Sequence, residues 1–244
     1  MHHTCPPNAR GLPAQQRVPA AMSNIELFEA IHTARSLRRL KPDPVPEALI
    51  TQVLDAAIRA PTGGNAQNWA FLVVRDAELR RSLGEIYRKS SDIAAKMYAA
   101  KGRPGHMTER QYKRMMTTGV HLWNHLGDAP IILIPCLRRL EVPDAPGVDL
   151  AAERAYAERI RGASIYPAVQ NIILACRALG LGTTITTNHL RCEHDVRVLL
   201  CLPDDVDSFA LMPIGWPIDR FGPLSRKPLS EVAHADRWDN AWPG

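Results

Sequence analysis

The apolar run PIILIPC, residues 130–136, constrains the fold more than any other stretch of this chain. An apolar run of this length without alternating polar residues is typical of a strand that is buried on both faces. Such a strand needs other elements packed on either side of it, so the run predicts a layered domain. It is also far shorter than the roughly 20 residues of a membrane-spanning helix, so no membrane partner is expected.

Further strands and several helices are predicted around this run. β-rich stretches lie at 70–76, 183–187 and 209–215. A capping box of Ser23 and Glu26 opens a helix that ends near Ala34, and Pro46 opens a second helix that Pro61 stops. Helical patterns also cover 85–126, broken at 101–106, and 167–180, where Gly180 suits a C-cap. Few strands among several long helices predict an α+β fold.

The chain is expected to form a flexible N-terminal arm followed by one domain. Residues 1–22 are rich in proline, glutamine and small residues and lack the apolar segment of a secretory signal. No linker divides 23–244. Within that domain, eight Lys or Arg against three acidic residues between Glu85 and Arg114 make the helical stretch 85–126 a basic, exposed excursion. We interpret it as a lid.

The charge and the cysteine content limit which ligands and which cellular compartment are expected for this chain. A net charge of +5 suits either nucleic acid or a phosphorylated small molecule. The positive charge is not gathered in one tract and only 6% of residues are aromatic, so nucleic acid is not expected. The five cysteines form no C-x-x-C pair, and their odd number argues against a zinc site and a disulfide framework. These features favour a reducing, cytoplasmic location.

Two basic clusters are candidates for phosphate binding. The first, where a predicted helix gives way to a proline-rich extended segment, comprises Arg35, Ser36, Arg38, Arg39 and Lys41. The second, in GPLSRKPL at 222–229, comprises Arg226 and Lys227. Guanidinium groups bind phosphate with paired hydrogen bonds, and a serine hydroxyl adds a neutral donor. Each cluster also suits a solvated surface, since cations are stabilised at a helix C-terminus. Spacing alone does not show that the clusters meet.

Other well-known catalytic motifs are absent from the sequence. There is no G-x-x-x-x-G-K-[ST], and the G-x-G at 180–182 precedes a predicted strand instead of following one, so a P-loop or Rossmann enzyme is not indicated. There is no G-x-S-x-G nucleophile motif. His121 and His125 share a predicted helix face without the glutamate of H-E-x-x-H, so no metal site is expected.

The stretch APTGGNAQNW, residues 60–69, joins a predicted helix to a predicted strand. A connecting turn explains the glycines but not Thr62, Asn65 and Gln67 beside them. Glycines let a backbone approach a ligand closely, and amide side chains offer donors as well as acceptors.

Four stretches in this order make the chain resemble the FMN-dependent nitroreductase family. They are RSLRRLKPDPVP at 35–46, APTGGNAQNW at 60–69, AVQNIILACRALGLGTT at 168–184 and IGWPIDRFGPLSRKPLSEV at 214–232. The resemblance implies a nitroreductase-like fold, in which helices flank a central mixed or antiparallel sheet. It also implies an obligate homodimer with FMN at the subunit interface.

The resemblance assigns cofactor-binding roles to particular residues. Those implied to hold the FMN phosphate are Arg35, Ser36, Arg38 and Arg226, with Arg39 as a further candidate. Those implied to reach the flavin from the partner subunit are Pro61, Thr62, Gly63, Asn65 and Gln67. Those implied to run beside the flavin are Thr186, Thr187 and Asn188. The chain departs from the family pattern at Asn68, where proline is usual, and in TTITTNH at 183–189.

The implied activity is NAD(P)H-dependent reduction of nitroaromatic or quinone-type acceptors, by ping-pong hydride transfer through flavin N5. The cofactor carries this chemistry, so no catalytic side chain is expected. NADPH or NADH would be the donor; the basic excursion favours NADPH through its extra phosphate, with a solvated helix face as the alternative. Other functions left open are reductive dehalogenation, flavin fragmentation, and FMN storage without turnover.

Overall fold

The computed structural model describes residues 25–243. The helices are α1 Leu27–Thr33, α2 Glu47–Ala57, α3 Ala77–Lys101, α4 Glu109–His125, α5 Leu150–Ile160, α6 Tyr166–Ala178 and α7 Glu193–Leu200. The strands are β1 Trp69–Val74, β2 Ile131–Arg138, β3 Gly182–Thr183, β4 Val206–Ser208 and β5 Met212–Gly215. The N-terminal arm predicted for 1–22 lies outside the described residues.

The sheet is built around β2. β1 pairs along one edge of β2, while β5 and β4 pair with the two halves of its other edge, and β3 extends the sheet beyond β5. Every pairing between the described strands is antiparallel. The α+β fold with helices around a sheet is therefore confirmed, and the sheet takes the antiparallel form.

Both faces of β2 are buried, as the apolar run predicts. Ile131, Leu133 and Leu137 point into one core, which α2 and α6 cover from one side. Ile132, Ile134 and Cys136 point into a second core, which α3, α4 and α7 cover from the other. Because neighbouring residues of a strand face opposite ways, a strand between two cores needs an apolar residue at every position.

The predicted helical stretch after β1 forms two helices. α3 begins at Ala77, earlier than expected, because the Asp76 side chain accepts hydrogen bonds from the first turn, at Glu78 N and Leu79 N. It ends at Gly102, whose φ of 67° continues no helix. α4 then begins with a capping box between Thr108 and Gln111. The predicted break at 101–106 is confirmed.

Several predicted elements differ from the structure. α1 begins after Glu26, so Glu26 is not in the first turn as the capping box requires; Ser23 lies outside the described residues. The run at 183–187 is strand only through Thr183 and then rejoins the sheet at a single bridge from Thr186 to Leu211. The helices α5 and α7 and the three-residue strand β4 were not predicted: α7 and β4 are short, and α5 has a weak apolar stripe and no buried residue.

The described residues also bear on cysteines, membranes and metals. Cys136, Cys176 and Cys192 are free, whereas Cys201 is disulfide-bonded. The expectation of no disulfide framework is wrong for Cys201, since an odd number of cysteines leaves one unpaired without preventing the others from pairing. Between 25 and 243, no helix is long and apolar enough to cross a membrane, and no cluster of three or more His, Cys, Asp or Glu could hold a metal ion.

One carboxylate gathers three arginines at the end of the sheet. Asp207 on β4 accepts hydrogen bonds from Arg139 at 2.6 and 2.8 Å and from Arg197 at 3.3 Å, and it also pairs with Arg161. Only 12% of the Asp207 side chain is exposed. Hydrogen bonds from Arg139, foremost among these contacts, lower the pKa of Asp207 to about 2.

We expect Asp207→Asn to lower the free energy of unfolding by about 3 kcal/mol, because three guanidinium groups lose their shared carboxylate. Chemical denaturation at neutral pH measures the change. Asp205→Asn is the matched control: Asp205 pairs with the exposed Arg138, so its loss should cost under about 1 kcal/mol. Equal losses in the two variants would contradict the role of Asp207.

Candidate functional site

The segment that carries the first basic cluster is pinned to the sheet edge. Leu37 N donates to Thr183 O at 2.9 Å and Lys41 N donates to Trp216 O at 2.8 Å. Leu37 is buried, and Leu40 packs so closely on Gly182 that a β-carbon there would lie 2.8 Å from the Leu40 side chain. These contacts fix the backbone from which the basic side chains of the cluster project.

Arg38 is a largely desolvated cation. Its Nη1 donates to Thr118 Oγ1 on α4 at 3.3 Å, and Tyr87 and Tyr98 of α3 lie close enough to act on its charge. Burial lowers the pKa of Arg38. Among the described residues no carboxylate forms an ion pair with Arg38. A buried cation without a counter-ion is costly unless a ligand supplies one.

Arg35 meets the C-terminal segment. A β-carbon on Gly222 would lie 3.8 Å from Arg35 Nη1, and Leu224 N donates to His32 O at 3.1 Å. Arg177 holds the segment in place by stacking over Phe221 at 4.4 Å. The segment that leads to Arg226 therefore passes beside Arg35. Arg226 itself is exposed, and its guanidinium donates to Ser225 O at 2.8 Å.

Arg39 differs from its neighbours in having a counter-ion. Its guanidinium forms a two-pronged pair with Asp219, with Nε donating at 2.9 Å. The hydrogen bond from Arg39 lowers the pKa of Asp219, and Arg114 and Arg35 add to the shift. Arg39 is thus neutralised within the chain and is less available to a ligand phosphate than Arg35 or Arg38.

Thr186 and Asn188 meet Tyr87, a residue that sequence reasoning did not single out. Tyr87 Oη lies 2.8 Å from Thr186 Oγ1, and Asn188 lies close enough to this phenol to affect its pKa. Burial raises the pKa of Tyr87, so the phenol stays protonated. Thr187 O accepts from Leu190 N at 3.1 Å. Since Arg38 lies close to Tyr87, the first basic cluster and the Thr186–Asn188 stretch come together around one tyrosine.

The residues on either side of the Thr186–Asn188 stretch hold buried polar atoms without hydrogen-bond partners. Thr183 Oγ1, Thr184 Oγ1 and His189 Nδ1 make no hydrogen bond within the described residues. A buried polar group left unpaired costs about 1–3 kcal/mol, so such groups usually have a partner. These atoms are closed to solvent as well as unpaired, so they lie behind the surface that a ligand would meet.

The predicted turn at 61–67 has a strained backbone. Gly64, Asn65 and Gln67 have φ values of 58°, 54° and 48°. Left-handed backbone is uncommon for residues other than glycine and is characteristic of functional sites. Thr62 Oγ1 accepts from Gln67 N at 3.0 Å, and Ser164 Oγ accepts from Gly63 N at 3.1 Å. These bonds hold the turn while its Pro61, Asn65 and Gln67 side chains remain exposed.

The turn and the first basic cluster have separate surroundings within one chain. The turn contacts Ser164, and Asn68 Nδ2 just after it donates to Arg138 O at 2.7 Å. The arginines instead contact α3, α4 and the C-terminal segment. No hydrogen bond or ion pair between described residues joins the two groups. The Asn68 side chain adds a hydrogen bond at the end of the pairing between β1 and β2. Proline, which is usual in the family at this position, has no side-chain donor, so Asn68 has a structural role here.

A cleft of about 880 Å³ adjoins the arginines. It lies between one face of α4 and the Arg39–Asp219 pair, and we call it the α4 cleft. Its α4-side lining is Thr108, Glu109, Arg110, Lys113, Arg114, Thr117, Thr118 and His121. Thr118 also accepts the hydrogen bond from Arg38, so the cleft and the cluster share a wall.

Three residues of the site were missed from sequence: Tyr87, Thr118 and Asp219. Tyr87 lies four residues after the buried Leu83 on the apolar stripe of α3, so periodicity predicts its burial but not its polar contact. Thr118 and Asp219 lie 80 and 180 residues from the arginines they bind. No local pattern marks such pairs.

A protein-family model for the nitroreductase family matches residues 31–216. The chain belongs to the nitroreductase family. The match spans both the Arg35–Arg39 cluster and the turn at 61–67, and the recognition made from sequence is confirmed.

Relatives of this nitroreductase-family chain carry different names. It is 29% identical over 219 residues to an NADH dehydrogenase of Thermus thermophilus, covering 81% of this chain and 90% of that protein. It is 27% identical over 223 residues to the iodotyrosine deiodinase of Danio rerio, covering 90% and 70%. A solved iodotyrosine deiodinase bound to FMN and 3-iodo-L-tyrosine superposes with a TM-score of 0.62 at 23% identity, covering 87% and 99%.

His189 makes folding of this nitroreductase-family chain pH-dependent. Its Nε2 lies 3.1 Å from Ser208 Oγ, and burial lowers its pKa from 6.5 to about 4. Folding therefore favours the neutral imidazole. The resulting stability is present above pH 6.5 and is lost as pH falls towards 4, with a slope approaching about 1.4 kcal/mol per pH unit.

We expect His189→Gln to flatten this decline between pH 6.5 and 4, measured by denaturation at a series of pH values. The exposed His106 is the control, and His106→Gln should keep the slope. An unchanged slope in His189→Gln would show that another group is responsible.

Proposed function

We propose that the chain is an FMN-dependent NAD(P)H oxidoreductase that reduces nitroaromatic or quinone-type acceptors as a homodimer. The observation that carries this proposal is the pair Arg35 and Arg38. Both cations lack an ion-pair partner in the described part of the chain, and Arg38 lies beside the Tyr87–Thr186 hydrogen bond. Membership of the nitroreductase family supports the same conclusion.

The residues present fit FMN. Arg35, Ser36 and Arg38 would hold the phosphate, with Arg226 joining from the C-terminal segment that passes Arg35. Thr186, Thr187 and Asn188 would lie along the flavin. When bound, FMN supplies a centre that accepts hydride from NAD(P)H and passes the electrons to a second substrate in a ping-pong cycle.

The protein's own contribution is binding and orientation. Tyr87 stays protonated and fixes Thr186 from behind, so the stretch 186–188 keeps one conformation. The backbone of that stretch is further tied by the paired bonds between Thr186 and Leu211, at 2.9 and 3.1 Å. A site of this kind needs no side chain that gains or loses a proton, which agrees with the absence of a recognisable acid–base pair in the sequence.

The turn at 61–67 would complete the site of the other subunit. Among the described residues, no hydrogen bond or ion pair joins the turn to Arg35 or Arg38, yet two hydrogen bonds hold the backbone of the turn while its amide side chains stay exposed. A homodimer that brings the turn of one protomer to the arginines of its partner resolves both facts. Each site then needs both chains.

We expect Arg38→Ala to weaken FMN binding about 10- to 100-fold, because charge-assisted hydrogen bonds to phosphate contribute roughly 1.5–3 kcal/mol each. Titration of flavin-free protein with FMN, followed by flavin fluorescence, gives the Kd. Lys89→Ala is the control, since Lys89 is exposed on α3 and outside the site. Equal Kd values for Arg38→Ala and the parent protein would contradict the proposed phosphate site.

Sites shared between protomers can be tested by complementation. We expect Arg38→Ala protomers and Gln67→Ala protomers each to form defective homodimers. In a mixed dimer, one site carries both changes and the other carries neither. Mixed dimers purified through two different tags should therefore bind tight FMN at one site of two. Two defective sites in the mixed dimer would show that each site is built from a single chain.

A second candidate function is reductive dehalogenation, because iodotyrosine deiodinases are among the relatives over 90% of this chain. The two activities share the cofactor and differ in the substrate. Purified enzyme with NADPH or NADH is offered a nitroaromatic, a quinone or 3-iodo-L-tyrosine. Iodide release without nitro or quinone reduction would replace the first proposal with the second. A yellow protein whose flavin neither nucleotide reduces without oxygen would instead store FMN.

A further inference from the structure

The α4 cleft carries more positive charge than the FMN phosphate requires. Arg110, Lys113 and Arg114 line it from α4, at the three- and four-residue spacing that places side chains on one helix face. These are different side chains from Arg35, Arg38 and Arg226, which suit the flavin phosphate. The cleft is therefore equipped for a second anion.

These three cations are exposed, and Arg114 lies close enough to Asp219 to help lower the pKa of that carboxylate. Within residues 25–243, none of them forms an ion pair or a side-chain hydrogen bond. Two acidic groups line the cleft, and one of them, Asp219, is already held by Arg39. Arg110 and Arg114 are four residues apart, a spacing at which like charges destabilise a helix. An anion bound between them would relieve that repulsion.

The polar wall of the cleft supports the same conclusion. Burial, with smaller contributions from His125 and Arg39, lowers the pKa of His121, so its imidazole is neutral at physiological pH and can hydrogen-bond a ligand. A volume of about 880 Å³ is in the range of sites that hold drug-sized molecules. The lining offers guanidinium forks and an ammonium group, which together suit a phosphomonoester.

We propose that the α4 cleft binds the 2′-phosphate of NADPH and so makes the chain select NADPH over NADH. This inference rests on the proposed function, which supplies the nicotinamide nucleotide as donor. NADH has the same pyrophosphate but lacks the phosphomonoester, which carries nearly two negative charges at neutral pH. Arg110, Lys113 and Arg114 therefore act on the one group by which the two donors differ.

The kinetic test measures flavin reduction in the FMN-loaded protein by oxygen-free stopped flow at subsaturating NADPH and NADH. We expect the parent protein to react faster with NADPH. Arg110→Ala/Arg114→Ala should lower the NADPH rate constant about 10- to 100-fold, as expected for the loss of charge-assisted hydrogen bonds, while the NADH value changes by less than about 3-fold. The control Arg88→Ala/Lys89→Ala removes the same charge from exposed positions of α3 outside the cleft.

A binding measurement gives a readout that needs no turnover. Adenosine 2′,5′-bisphosphate, which carries the 2′-phosphate, should bind the parent protein in calorimetry and bind Arg110→Ala/Arg114→Ala at least about 10-fold more weakly. Adenosine 5′-monophosphate, which lacks the 2′-phosphate, should not distinguish the two proteins. Melting temperatures confirm that the variants are folded.

The outcomes separate the two proposals. Equal rates with NADPH and NADH, equal losses with both donors, or loss of FMN from Arg110→Ala/Arg114→Ala would overturn the inference and leave the oxidoreductase function standing. Flavin that neither nucleotide reduces would overturn the proposed function. In that case, bisphosphate binding that depends on Arg110 and Arg114 would still show a site for the 2′-phosphate. Absence of such binding would overturn the inference as well.

Discussion

Burial of β2 on both faces is the constraint on which the rest of this structure depends. One strand supplies apolar side chains alternately to two cores, so each face must be covered by helices, and the sheet must extend to both sides of it. The cover on one face is α2 and α6, and the cover on the other is α3, α4 and α7. These layers position the site residues: the turn follows α2, Tyr87 projects from α3 into the second core, and Thr118 lies on α4.

The arginines of this chain differ in whether a carboxylate pairs with them, and this difference separates structural arginines from candidate ligand-binding ones. Arg39, Arg139 and Arg161 have carboxylate partners and serve the fold. Arg38 is equally close to the sheet edge but has a threonine and two tyrosines around it. An arginine surrounded by neutral groups can still pair with a phosphate. An arginine already paired with a carboxylate is less able to do so.

The sequence predicts those features that depend on local pattern. Periodicity located α2, α6, β2 and the break between α3 and α4, and family resemblance located the arginines and the turn. Contacts between distant residues were out of reach: Arg39 and Asp219 are 180 residues apart, and Asp207 meets Arg139 from 68 residues away. β4, with three residues, is too short to show alternation. Tyr87 was not singled out, because periodicity reports burial and not the partner of a hydroxyl.

The left-handed residues in the turn at 61–67 have a thermodynamic consequence. Asn65 and Gln67 hold backbone angles that cost about 1–3 kcal/mol at each position for residues other than glycine. Glycine at position 67 would relieve that cost but would discard the amide. The chain thus accepts a lower stability in exchange for amide side chains that are presented from a backbone already ordered by folding. A molecule that meets this turn encounters a finished shape and does not have to organise it.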